Sequence, residues 1–373
     1  MRKCIDDVLK ILEEFVNMDS GSYDKRDTDK FTKIVENEFK KAGMAVSRIT
    51  QKDVGDFLEC RVGQGDRQIL LLGHMDTVFS SGTAKIRSFI KKGDLIYGPG
   101  VLDMKGGIVV LLFAIKNIIN VLPKNTKLLV FLNTDEEIGS NYSKDYILKN
   151  ARQSIACLSF ESAKPGTLTT ERKGIISFKM SVNGISSHSG VNYNMGKSAI
   201  KEIAYKVCDL YNLVDIEKDI TVNVGTINGG QKVNIIADHA EAFIEIRYFN
   251  IGDGESLKRK IKNIINNNHV EGTWTNIEII SERMPLVSNE RCEKLFDIAE
   301  YTAEKLGKEI KPRKTGGGGD VSFAAMCGIP VIDGLGPEGE NSHTEKEFVN
   351  VDSIPFRIKL ASQIILNIAN GGL

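Results

Sequence analysis

Four short, unbroken apolar runs constrain this chain more than any other feature: residues 69–72, 128–132, 155–160 and 329–332. Runs of that length with no polar alternation read as strands buried on both faces, the situation of a parallel sheet covered by helices. The intervening sequence supplies the helices. Apolar residues at Ile5, Val8, Leu9, Leu12, Phe15 and Val16, then at Phe31, Ile34, Val35 and Phe39, keep the helical period, and Gly43 stops the second of these helices. Helices are also predicted over 105–119 and near 351–369. The fold class is therefore α/β, with a mostly parallel sheet flanked by helices.

Between about residues 172 and 285 the texture changes to clearer alternation. Strands are predicted over 175–182, 220–227, 237–248 and 273–280, and helices over 195–213 and 254–267. The order β-α-β-β-α-β matches the ferredoxin-like split unit. The expected organisation is thus a main domain in two parts, 1–172 and 286–373, with residues 173–285 inserted between them. A length of 373 residues suits such a two-domain plan.

Composition excludes several functions. Lys plus Arg (49) equals Asp plus Glu (49), so no global field attracts nucleic acid or an anionic membrane. No apolar run approaches the ~18–20 residues of a membrane span. The start, Met1-Arg2-Lys3-Cys4, passes directly into charged helical sequence without a secretory apolar segment, which predicts a cytoplasmic chain. Six scattered cysteines without a C-x-x-C pair suggest reduced thiols, mostly buried.

Chemistry gathers in five polar segments. In Gly73-His74-Met75-Asp76-Thr77-Val78 a buried strand ends in a histidine, with an aspartate two residues on that faces the same way and could accept the second ring N–H. A strand-end His-Asp pair without metal has the same sequence. Asp103 lies in Gly100-Val101-Leu102-Asp103-Met104-Lys105-Gly106-Gly107 before a helix, where an N-cap is the ordinary role. The run Asp135-Glu136-Glu137 follows an apolar strand at an electrostatic cost unless a cation or many hydrogen bonds offset it. Adjacent side chains diverge, so one glutamate could bind metal while the other faces substrate. Glu161 follows another buried strand, and His343 sits in the polar loop Asn341-Ser342-His343-Thr344.

Taken singly, each is more often structural. Together, His74, Asp103, Glu137, Glu161 and His343 are expected at or just past the carboxyl ends of strands in one sheet, where open α/β sheets place ligands. Two histidines and three carboxylates suit two borderline divalent ions with one carboxylate bridging, and paired ions can ionise water near neutral pH. That points to a hydrolase.

These phrases, with Thr134-Asp135-Glu136-Glu137-Ile138-Gly139-Ser140 and Ser342-His343-Thr344, resemble the motifs of a di-zinc exopeptidase and deacylase family that includes glutamate carboxypeptidase, acetylornithine deacetylase and succinyl-diaminopimelate desuccinylase. Order and spacing agree along essentially the whole chain. The resemblance implies two Zn2+, with Co2+ or Mn2+ as substitutes. His74, Asp103 and Glu161 would hold one ion and Asp103, Glu137 and His343 the other. It implies Asp76 as the orienter of His74 and Glu136 as the general base. In the inserted domain it implies a lid that forms a homodimer contact, with His188 polarising the scissile carbonyl and Asn234 and Arg247 binding substrate. Arg247 suits a substrate carboxylate because a guanidinium binds it bidentately; it shares a face with Glu241 and Glu245, and a cross-strand or same-face ion pair is its alternative.

The expected activity is cleavage of an amide next to a free carboxylate, in a small peptide or N-acyl amino acid. A biosynthetic deacetylase or desuccinylase is the alternative, and a metal-binding protein without turnover a remoter one. Gly316-Gly317-Gly318-Gly319-Asp320 lacks the Lys-Ser/Thr of a phosphate loop, so no nucleotide is expected. By the resemblance, Gly318 belongs to a loop whose backbone approaches substrate.

Overall fold

The four apolar runs all enter one sheet. In the computed structural model, which describes residues 2–373 and side chains from Ile5 on, its six strands are ordered Ala45–Ile49, Phe57–Gly63, Thr126–Asn133, Arg67–His74, Ser154–Ser159 and Val331–Ile332. The last four run parallel to one another. The first two form an antiparallel edge. Periodicity does not announce that edge, because Arg48, Glu59 and Arg61 interrupt its apolar pattern with charge.

Helix Gly106–Ile118 links strands Arg67–His74 and Thr126–Asn133 and is buried along nearly its whole length. Its first turn can approach the sheet closely because Gly107 has no side chain: a Cβ there would lie 2.0 Å from the Phe160 carbonyl oxygen. Helices Arg2–Val16, Lys25–Lys41, Glu290–Lys305 and Ser353–Asn367 add apolar stripes, including Leu12, Phe15, Phe31, Phe39, Leu295 and Leu360, to the same core. Asp24 caps Lys25–Lys41 by accepting from the Asp27 amide, and the helix ends before Gly43 at φ +90°.

A small four-stranded sheet, unforeseen in the sequence, joins hairpin Ile90–Lys92/Leu95–Tyr97 to strands Phe348–Asn350 and Gly339–Glu340. The loop carrying His343 is therefore held at both ends.

Contacts divide the chain into two compact units. The sheet just described belongs to the first, which comprises the chain to Glu171, Ser288–Thr315 and Gly319–Leu373. The second comprises Arg172–Val287 with Gly316–Gly318. Its antiparallel sheet is ordered Thr221–Gly229, His239–Tyr248, Gly174–Asn183, Trp274–Arg283, accompanied by helices Ala199–Tyr211 and Ile251–Asn266. Strand faces carrying Phe178, Met180, Ile244 and Ile246 pack with Ile203, Leu257 and Ile261 into a separate core. Lys206 is fully buried there, and its ammonium is satisfied by the carbonyls of Ile264, Ile265 and Asn267 and by Glu202. The three glycines go with this unit because Arg247 donates to the Gly316 carbonyl and Arg172 to those of Gly317 and Gly318.

Cys60, Cys157 and Cys292 are buried, Cys327 is half-buried and Cys208 exposed; all are free thiols, and Cys4 lies outside the described side chains. No helix among the described residues is long and apolar enough to cross a membrane.

Candidate active site

Four segments of the first unit converge on Asp103. His74 ends its strand, Glu137 lies in the turn after Thr126–Asn133, Glu161 follows Ser154–Ser159, and His343 descends from the loop between Gly339–Glu340 and Phe348–Asn350. Contrary to the expectation for all five, His343 lies in a loop of the small four-stranded sheet, and Asp103 is not at a strand end at all. It occupies the turn that opens helix Gly106–Ile118, beside a cis Asp103–Met104 peptide. Gly107 lets that helix sit against Phe160, which brings Asp103 to the strand ends by a different route.

The geometry splits the five residues into two groups sharing Asp103. His74 Nε2 lies 3.1 Å from Asp103 Oδ1 and 3.5 Å from Glu161 Oε1. His343 Nε2 lies 3.2 Å from Asp103 Oδ2 and 3.1 Å from Glu137 Oε2. Each Asp103 oxygen thus faces one histidine, and the ligand atoms in each group fall within 4.8 Å of one another. Such a set fits a pair of divalent cations. Glu137 Oε1 is buried without a hydrogen-bond partner among the described residues, as an oxygen reserved for a cation would be.

Electrostatics tell the same story. Burial opposes charge on His74, but Glu161, Asp103 and Asp76 outweigh it and hold the imidazole well above its ordinary pKa. Burial, partly offset by His74, pushes Glu161 well up, and burial with the Asp103 charge raises Glu137 to about 8. The hydrogen bonds of His343 to Asp103 and Glu137 raise it to about 11. Burial works against the Asp103 charge too, yet both histidines hold that carboxyl well below its usual range. Divalent cations, which bind deprotonated carboxylates and neutral imidazoles, would offset the mutual repulsion of these acids.

Asp76 does more than the sequence suggests. His74 Nδ1 is 3.0 Å from the Asp76 backbone carbonyl and 3.4 Å from its carboxylate. That carboxylate, fully buried, accepts from Ser22 Oγ at 2.7 Å and from the amides of Glu136 and Glu137 at 3.3 and 3.2 Å. Of the three acids after the strand, Asp135 turns inward to accept from the Tyr142 and Ser143 amides, and burial pushes its carboxyl up to about 6.

Two structural acids escaped the sequence reading. Glu347, 1% exposed, accepts from the amides of Gly100, Leu102 and Asp103 at 3.0, 2.8 and 2.9 Å. Its signal, an acid four residues after a histidine, does not distinguish it from exposed Glu345. Asp320, at the end of the glycine run, is buried and accepts from Asn133 Nδ2 at 2.6 Å and from Ser140 Oγ, bracing both ends of the acidic turn.

The remaining candidates lie in the second unit. Strand Ser187–His188 pairs with Ile235–Ile236, and the Ser189 amide donates to the Asn234 carbonyl, so His188 and Asn234 share one small ribbon. His188 Nδ1 accepts from the Gly190 and Val191 amides at 3.1 and 3.2 Å, which leaves the proton of a neutral ring on Nε2. Arg247 pairs with Glu245 at 2.6 Å, one of the two compatible uses of its face, and donates to the Gly316 carbonyl at 2.7 Å. A Cβ on Gly318 would meet Ile175 Cδ1 at 2.7 Å.

This constellation, two histidines and three carboxylates around one shared aspartate on an α/β sheet, defines a metal-dependent hydrolase. Residues 70–367 match the model of peptidase family M20/M25/M40, and the chain belongs to that family as a metal-dependent exopeptidase-type enzyme. It is 31% identical to carboxypeptidase G2 of Pseudomonas sp. (strain RS-16), over 98% of this chain and 90% of that protein. It is 24% identical to succinyl-diaminopimelate desuccinylase of Blochmanniella pennsylvanica (strain BPEN), over 83% and 84% of the two chains. An M20 family metallo-carboxypeptidase structure from Sulfolobus solfataricus superposes with a TM-score of 0.79 at 19% identity, covering 98% of this chain and 99% of that one.

Proposed function

We propose that this chain is a cytoplasmic di-zinc hydrolase that removes an amino acid with a free carboxylate from a small peptide or N-acyl amino acid. The observation that carries the proposal is the division of the two Asp103 oxygens between His74 and His343. His74, Asp103 and Glu161 would hold one ion and Asp103, Glu137 and His343 the other, with Co2+ or Mn2+ as substitutes. When bound, such a pair polarises the scissile carbonyl and brings the pKa of water from about 15.7 towards about 7.

The chain's own groups supply the rest. Glu136 takes a proton from the attacking water and passes it to the departing amine. Asp76 holds the Glu136 and Glu137 amides, so base and ligand keep a fixed spacing. The Nε2–H of His188 is free to donate to the developing oxyanion, because its Nδ1 is occupied. Arg247, with Asn234 and the Gly318 backbone, receives the substrate carboxylate; its contact with Glu245 holds the fork in place meanwhile. The second unit would act as lid and homodimer contact.

The similarity to carboxypeptidase G2 at 31% supports the peptidase side over the desuccinylase side at 24%. Dipeptides, N-acyl amino acids, N-acetylornithine and N-succinyl-diaminopimelate compared by kcat/KM, alongside elemental analysis, test the choice. Glu136→Ala should keep both metals yet lose roughly three or more orders of magnitude in kcat. Near wild-type turnover in that variant would remove Glu136 from its role.

A further inference from the structure

Beside the acidic turn the first unit contains an open cleft of about 510 Å³, and Glu137 forms part of its wall. The apolar lining is Tyr23, Val78, Phe79 and Ile138. We propose that this cleft is the subsite for the acyl side of the scissile bond and that it selects an uncharged apolar or aromatic acyl group. The inference rests on the hydrolase reading above and adds the substrate class.

Three observations carry it. First, the cleft adjoins the reacting centre: Glu137 lines it and also belongs to one of the two ligand groups.

Second, its walls are built rather than incidental. Gly21 bridges to Thr77, and a Cβ on Gly21 would lie 2.6 Å from the Phe79 carbonyl oxygen, so only glycine permits the two segments to meet. The Arg87 guanidinium lies 4.7 Å from the centroid of the Phe79 ring and steadies it. Yet Tyr23 is 88% exposed and Val78 44% exposed, apolar surface presented without a partner beside an active site.

Third, the charge is one-sided. Asp24 and Glu137 are the ionisable acids of the lining besides Tyr23, and no Lys, Arg or His lines it. A cation pair at the ligands would neutralise Glu137 but not Asp24. An acyl group ending in a carboxylate, such as succinyl, would meet repulsion and find no partner, whereas a phenyl or branched alkyl group would bury apolar area.

The test uses the metal-loaded full chain and three substrates sharing one leaving amino acid: N-acetyl, N-succinyl and N-(3-phenylpropanoyl). The phenylpropanoyl compound should exceed the acetyl compound about 10–100-fold in kcat/KM, with succinyl poorest. Val78→Asp and Phe79→Ala should each reduce the phenylpropanoyl/acetyl ratio about tenfold, a ratio in which lost fold or lost metal cancels. A wild-type ratio near one, a ratio unmoved by both variants, or a change confined to preference for the leaving residue would overturn the subsite. Failure to cleave any of the three with metal present would instead overturn the hydrolase reading on which it rests.

Discussion

At the scale of single residues, the centre is organised by carboxylates that touch no proposed ligand atom. Asp76 grips the amides of the acidic turn, Asp320 its two ends, and Glu347 the three amides around Asp103. Burial drives Glu347 up to about 7 against the pull of those amides, so its ionised form is retained at a cost. Glu347→Gln preserves volume but presents an amide N–H to a backbone N–H. The expected result is a loss of about 10–100-fold in metal affinity, measured by chelator competition, with far-UV circular dichroism unchanged. Of these acids only Asp76 was legible in the sequence, through its spacing from His74. His74, Glu137 and Glu161 stand out because the apolar runs before them mark strand ends, whereas His343 stands out only as a histidine in a polar loop. An acid that binds backbone amides from another segment has no such local mark.

At the scale of elements, helix Lys25–Lys41 is fastened to the antiparallel edge of the sheet by ionic contacts. Asp56 accepts from Lys25 Nζ at 2.8 Å, from Arg48 Nε at 2.7 Å and from the Gln51 amide at 3.0 Å. Burial opposes the Asp56 charge, but Lys25, the Gln51 amide and Arg48 outweigh it and hold the carboxyl below its ordinary range. A carboxylate depressed on folding adds stability above its unfolded pKa, and that contribution disappears as pH falls through the folded value. Asp56→Asn should therefore cost about 1–3 kcal/mol at pH 7 in urea unfolding, with the gap to wild type closing below about pH 4. A gap independent of pH would exclude the ionic explanation. The same edge explains what periodicity left out. Strand Ala45–Ile49 uses Arg48 in these contacts, strand Phe57–Gly63 pairs its own Glu59 with Arg61, and the strands that clamp the His343 loop are two or three residues long, too short for any period to register.

At the scale of the molecule, two units with separate cores come from one chain, and the proposed metals belong to the first alone. Binding that favours the native state stabilises it by mass action, about 2.7 kcal/mol at a free metal concentration of 100 Kd. Chelation should lower the thermal midpoint and raise hydrogen exchange at 73–76, 101–104 and 134–138, while strand His239–Tyr248 keeps its protection. Uniform loss of protection would contradict a centre confined to one unit. The sequence alone determined the α/β class, the inserted β-α-β-β-α-β segment and the residues able to bind metal, since burial of apolar runs and the donor chemistry of side chains are local properties. Only the tertiary structure decided that Asp103 comes from a helix turn, that Gly316–Gly318 go with the second unit, and that Asp76, Asp320 and Glu347 brace the centre. Those outcomes depend on which backbone amides and carbonyls distant segments leave to be satisfied, and that demand arises only when the segments meet.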